Sequence, residues 1–250
     1  MKKIAIIQAR CSSTRLANKV LKKILDKPML QWQVERVQLS RLIDELVIAT
    51  SFEESDDDIE VLCNNLSVNV FRGSLADVLD RYYQAATLYQ ADIIIRITGD
   101  CPLIDSDIID QVIAKHISSS NDYTSNIEPE TFPDGLDVEV FNYQTLKNAW
   151  IYAKKKSERE HVTPYIRNNQ SVTKGTIQSA TDYSHYRWTV DEEKDFEFVT
   201  QIYQKLGCNG EYFGADKIYQ LLQKQPELLA INQNITRNEG LLKSIQEDNI

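Results

Sequence analysis

KIAIIQARCSSTRLANKVL, residues 3–21, is the stretch on which the reading of this chain turns. Its apolar run at 4–7 is short, rich in isoleucine and closes on polar residues, which predicts a buried strand ending in a loop. Arg10, Arg15 and Lys19 follow at once, with Ser12, Ser13 and Thr14 among them. Open α/β sheets hold ligands outside the carboxyl ends of their strands. Guanidinium forks, an ammonium, hydroxyls and backbone N–H groups suit a polyphosphate there. A solvated turn is the simpler alternative, but such a cluster of cations is unusual in a chain of net charge −9.

Outward from that loop, strand and helix alternate. Helical spacing of Leu30, Val34 and Val37 predicts a helix over 28–39, with Lys27 and Pro28 as its start. A strand over 45–50, a helix over 55–66 and a strand over 68–71 come next. Ser74 with Asp77 is expected to cap a helix over 75–90. DIIIRI at 92–97 is apolar enough for a central parallel strand, and a helix is expected over 107–117. This rhythm predicts βαβ units on a parallel sheet. From 118 to 186 turn-rich segments intervene, with a strand over 136–141, helices over 143–156 and 158–167, and an extended segment over 172–179. We expect a smaller α+β insertion within one domain spanning 1–250. Residues 187–191 read as a strand, 192–206 and 215–223 as helices, and the tail beyond 225 as loosely packed.

The chain of 250 residues, 42% hydrophobic and 26% charged, has the composition of a soluble globular protein. Its acidic balance argues against general binding to nucleic acid or anionic membranes. The expected location is the cytoplasm, since no apolar run reaches transmembrane length and the start has no signal-peptide core. Cys11, Cys63, Cys101 and Cys208 show no CxxC spacing, so small buried side chains are expected rather than disulfides or a zinc site. Neither a G-x-G-x-x-G nor a Walker-type phosphate loop is present.

The opening IIQARCSSTRLANKVL resembles the nucleotide-binding segment I-x-A-R-x-x-S-x-R-L-P-G-K-x-L of the cytidylyltransferase-like family. That family includes the spore-coat polysaccharide (SpsF-type) branch and the enzymes that make CMP-Kdo and CMP-sialate. Ala9, Arg10, Ser13, Arg15, Leu16, Lys19 and Leu21 match; Ala17 and Asn18 replace Pro-Gly. Asparagine tolerates left-handed backbone, so the bend is expected to survive. ITGDCPLID, VFRGSLADVLDRY, PDGLDVEV and REHVTPYI also resemble segments of that family, the last three being typical of the SpsF-type branch. The resemblance implies a mostly parallel, Rossmann-like nucleotidyltransferase sheet sandwiched by helices. It also implies a homodimer built through the insertion at about 118–186.

Asp100, just past a strand end, is a candidate Mg²⁺ ligand, because Mg²⁺ takes one or two carboxylates and completes its shell with phosphates and water. Asp105 and Ser106 are better placed to cap the following helix. Asp191 matches a second metal-binding aspartate of the family, though an N-terminal helix cap explains it nearly as well. The resemblance assigns nucleotide binding to Ala9, Arg10, Ser13, Arg15, Lys19, Arg72, Gly73, Ser74, Asp77, Thr98 and Gly99. Arg15, Lys19 and Asp100 would be catalytic. Asp134, Glu139, Arg159, Glu160 and His161 would face the acceptor, with capping equally open for Asp77 and a structural role for His161. The expected activity is activation of a sugar by nucleotidyl transfer with Mg²⁺ as cofactor, and the resemblance implies CTP as donor and an acidic sugar or sugar phosphate as acceptor. The alternatives are a nucleotide-sugar-dependent glycosyltransferase and a non-catalytic nucleotide-binding protein.

Overall fold

Alternation along the first strand sets up three layers. In β1 (Lys3–Gln8) Ala5 and Ile7 face one side and Ile4 and Ile6 the other, all fully buried, as period-two geometry requires. The computed structural model describes residues 1–207 and 211–248; Cys208 lies outside the described residues. After β1 a two-residue hairpin (β2, Lys23–Ile24; β3, Lys27–Pro28) leads into α1 (Met29–Val37). The order continues β4 (Glu45–Ser51), α2 (Asp57–Asn65), β5 (Asn69–Gly73), α3 (Val78–Leu88), β6 (Ile93–Thr98) and α4 (Ser106–Ser119). β7 (Tyr123–Ser125), β8 (Glu139–Asn142), α5 (Tyr143–Tyr152), α6 (Lys156–His161), α7 (Pro164–Asn168) and β9 (Lys174–Thr176) follow. The chain then forms α8 (Glu193–Leu206), α9 (Ala215–Lys224) and α10 (Glu239–Glu247).

The seven-stranded sheet runs β5-β4-β1-β6-β8-β7-β9. β5, β4, β1 and β6 are parallel, and β8 joins β6 antiparallel. The fold is therefore the expected α/β class. Strand order reverses between β1 and β6: β4 and β5 build outward on one side of β1, and β6 starts the other. Loops leaving β1 and β6 diverge there and open a crevice, which is where such sheets bind ligands. α1, α4 and α8 cover the Ala5/Ile7 face, and α3, α5 and α7 cover the Ile4/Ile6 face.

Four local expectations need correction. Lys27 and Pro28 belong to β3, with Pro28 at the N-cap of α1. Asp77, not Ser74, caps α3 by accepting from the Asp80 N–H, while Ser74 Oγ accepts from the Asp77 N–H. Helix over 158–167 is broken at Val162, whose φ of 70° cannot continue a right-handed helix. Residues 187–191 form no strand; a single bridge between Asp134 and Arg187 is their only ladder contact among the described residues.

The tail also differs from expectation. It folds back through a 3-10 turn (Pro226–Ile231) into α10, which packs on α6. Polar anchors outweigh its weak sequence signal. Buried Asn232 donates to Arg187 O and Asp195 Oδ1, and Lys156 and Ser157 bind Glu247 and Asp248. Among the described residues no helix is long and apolar enough to cross a membrane.

Candidate active site

The loop after β1 is shaped before it is charged. Ala9 N donates to Ala49 O at 3.1 Å and Gly99 N to Gln8 O at 2.8 Å, pinning the ends of β1, β4 and β6 together. A Cβ on Gly99 would sit 2.6 Å from Gln8 O, so only glycine lets β6 leave this close to β1. Buried Asp56 accepts from Cys11 N, Thr50 Oγ1 and Ser51, clamping the loop to the end of β4. Asn18 takes the left-handed conformation, φ 52°, that the family's glycine would supply. Its bend delivers Lys19 into the crevice. Burial pushes the Cys11 thiol up to about 12, and Cys63 likewise, so both are uncharged packing residues.

Lys19 is the centre of the site. Its ammonium, 9% exposed, donates to Asp191 Oδ1 at 2.9 Å, Val190 O at 2.8 Å and Asp100 Oδ2 at 3.2 Å. Burial alone would lower its pKa, but Asp100 and Asp191 more than reverse this and keep it protonated. Burial likewise pushes Asp100 up, yet the Lys19 charge and the Thr98 hydroxyl hold it below the usual carboxylate range. Arg15 reaches Asp191 at 2.9 Å and Glu239 of α10 at 3.3 Å. Behind them, buried Arg187 binds Asp134 at 2.8 Å, Asp191 Oδ2 at 3.1 Å and Asp195 at 2.9 Å. Arg10 is exposed at the rim and makes no hydrogen bond or ion pair among the described residues.

Arg10, Arg15, Lys19, Asp100, Asp191 and Glu239 line one end of a cavity of about 330 Å³ over the strand ends. Of the expected residues Ala9, Arg10, Ser13, Arg15, Lys19, Thr98, Gly99, Asp100, Asp134, Glu139, Glu160, His161 and Asp191 line it. Arg72, Gly73, Ser74, Asp77 and Arg159 do not. Arg72 is turned away, donating to Ser51 O and Glu53 O and pairing with Asp57 and Glu60. Gly73 packs on Arg81, and Asp77 both caps α3 and binds Arg159 through two guanidinium nitrogens. The distinctive RGSxxDVLxRY stretch therefore clamps α3 to α6 beside the site.

The cavity's far end holds groups the sequence reading passed over. Arg96 on β6 is bound by Glu139, whose other oxygen accepts from Tyr123 OH at 2.7 Å, so Glu139 orients Arg96 more than it faces the cavity. Arg167 pairs with Glu128 at 3.1 Å but its buried Nε has no partner. Burial, opposed by Arg237 and reinforced by Asp134 and Glu139, pushes Asp137 up to about 7. Burial lowers His161, which lies against Ser244 with Glu160 on the other side of that hydroxyl. Asn238, Glu239, Gly240 and Leu241 also line the cavity. A cation interrupting the apolar run DIIIRI was the one available signal for Arg96; nothing in a polar tail pointed to Glu239.

Paired carboxylates and a basic loop at the switch point of a parallel sheet define a nucleotidyltransferase type of site. The chain belongs to the cytidylyltransferase family, whose model matches residues 4–235. It is 36% identical over 230 residues to the spore coat polysaccharide biosynthesis protein SpsF of Bacillus subtilis, covering 89% of this chain and 94% of that one. Over 121 residues it is 34% identical to the 3-deoxy-manno-octulosonate cytidylyltransferase of Geobacter metallireducens, 48% of this chain and 47% of that one. A cytidylyltransferase structure from Leptospira borgpetersenii superposes with a TM-score of 0.87 at 32% identity, covering 94% of this chain and 98% of that one. The protein is thus an enzyme of this family, related to SpsF and to the Kdo-activating enzymes.

Proposed function

We propose that this enzyme transfers CMP from CTP to a sugar carrying an acidic group or a phosphate, with release of pyrophosphate, in the building of a surface polysaccharide. The observation that carries the reading is the meeting of Arg15, Lys19, Asp100 and Asp191 at one end of the cavity. Arg10, Ser13, Arg15 and Lys19 bind the β- and γ-phosphates, and their charge stabilises the departing pyrophosphate. Arg96 and Arg167 at the far end suit an anionic group on the acceptor. Holding acceptor and nucleotide in one cavity supplies the orientation on which such displacement depends.

Asp100 and Asp191 fit a divalent cation such as Mg²⁺: both offer hard oxygens, and both already converge on a single positive charge, that of Lys19. Among the described residues no three His, Cys, Asp or Glu gather into a self-sufficient metal cage. The cation would therefore complete its shell with phosphate and water, and its chemistry there is neutralisation of phosphate charge. The homodimer built through 118–186 belongs to the same reading and is checked by sedimentation.

The test is pyrophosphate release from CTP and Mg²⁺ against a panel of acidic sugars and sugar phosphates. Arg15→Ala and Asp100→Asn should each lower it by about 10²–10³ while the fold is kept. Full turnover in both variants, or sugar transfer from a nucleotide sugar without pyrophosphate, would overturn the reading.

A further inference from the structure

We infer that Lys19 has a second role: its ammonium holds the point between Asp100 and Asp191 that a divalent cation needs, so that the metal enters only when a triphosphate draws Lys19 away. The inference rests on the function proposed above. An ammonium has three N–H donors. All three are engaged, with Asp191 Oδ1 at 2.9 Å, Val190 O at 2.8 Å and Asp100 Oδ2 at 3.2 Å. Lys19 therefore has no donor left for a phosphate, and must release at least one of these three acceptors, two of them carboxylates, to bind one.

The Asp191 carboxylate and the backbone that carries Asp100 are both held in place. Arg187 holds Asp191 Oδ2 at 3.1 Å, and the Asp191 N–H donates to Asp195 at 3.0 Å. Asp100 O accepts from Val190 N at 2.8 Å and Thr189 Oγ1 at 3.2 Å, tying the two acidic segments together. One cation can bridge the pair. An ammonium and a metal ion there together would repel at short range in a half-buried site. Arg10, exposed at the rim and unpaired among the described residues, gives the incoming phosphates a first contact that does not require Lys19 to move. Metal and nucleotide binding are then coupled, and the coupling is reciprocal.

The probe is Mn²⁺, counted as free ion by electron paramagnetic resonance with the full chain and no nucleotide. Lys19→Met should bind Mn²⁺ at least about tenfold more tightly than the unchanged protein, about 1.4 kcal/mol. Adding Asp100→Asn should abolish the gain. Lys19→Gln, which keeps hydrogen bonding but not charge, should behave like Lys19→Met and serves if that variant does not fold. In the unchanged protein, thermal melting reads the coupling directly: Mn²⁺ with CTP should raise the Tm by more than the two separate shifts added. Equal or weaker Mn²⁺ binding in the folded Lys19 variants, or additive shifts, would overturn the inference. Mn²⁺ binding that needs Asp100 but ignores Lys19 would sink the inference alone. No Asp100-dependent Mn²⁺ binding in any protein, with or without CTP, would remove the proposed function as well.

Discussion

Replacing Arg187 with methionine should destabilise the protein by about 3–5 kcal/mol, the cost of stripping one partner from a buried charge cluster. Arg187 forks onto Asp195 at 2.9 and 3.0 Å, and reaches Asp134 at 2.8 Å and Asp191 at 3.1 Å. Asp195 is fully buried and would be left with Asn232 and two backbone N–H groups. Methionine fills most of the arginine stem's volume, which keeps a cavity term small. In a chain of this size each kcal/mol moves Tm by about 2–4 °C, so a fall of about 6–20 °C is expected. Urea titration at constant m gives the free energy. The pH dependence checks the cause. In the unchanged protein burial pushes Asp195 up, but the Arg187 hydrogen bonds and charge hold it below the usual range. A depressed carboxylate contributes stability above its unfolded pKa of about 3.9 and loses it as pH falls through the folded value. Without Arg187 the buried carboxyl titrates higher, so acidification relieves the variant while it weakens the parent. The gap between the two should be widest near neutrality and narrow on approaching about pH 4. A gap under about 1 kcal/mol, or one unchanged between neutrality and about pH 4, would refute the reasoning.

Asp137, pushed up to about 7, holds its proton in the folded state over a range where the unfolded chain has lost it, so it costs stability as pH rises from the unfolded value toward 7. Asp137→Asn should remove that cost, and the variant should gain on the parent in denaturation above neutral pH but not near pH 4. Glu239→Gln frees Arg15 from an exposed ion pair, and should tighten CTP binding by at most about fivefold, measured by calorimetry at low salt. Gly99→Ala forces a Cβ to within 2.6 Å of Gln8 O, and should cost more than about 1 kcal/mol and weaken CTP binding together with stability.

The parallel half of the sheet was legible because its signals are local. Four apolar runs, each followed by a helix-period segment, leave few topologies once crossovers are right-handed. The basic loop was legible for the same reason, since Arg10, Arg15 and Lys19 lie within ten residues. Long-range partners were not. The resemblance put Arg72 in the nucleotide pocket, but Asp57 and Glu60 on the neighbouring helix take its guanidinium. Arg187 looked like part of a strand; its backbone makes one bridge, and its position is set by carboxylates at 134, 191 and 195. The tail lacked signal because buried Asn232 and Ser244 fix it through hydrogen bonds that composition does not reveal.

The charge balance of the cavity carries one step more. Its lining holds five cations (Arg10, Arg15, Lys19, Arg96, Arg167) against six acids (Asp100, Asp134, Glu139, Glu160, Asp191, Glu239), with Asp137, pushed up to about 7, only partly charged near neutrality. A bare triphosphate entering that lining would meet no net positive field, however well its phosphates fitted the loop. Like charges in a half-buried cleft are expensive, so the nucleotide must bring compensating charge with it. Omitting divalent metal should therefore weaken CTP binding far more steeply than raising salt does, since the deficit lies inside the cavity, where screening by bulk ions is poor. A metal-independent affinity falling steeply with salt would mean that the phosphates bind at the exposed rim around Arg10, and that Asp100 and Asp191 serve only to hold Lys19.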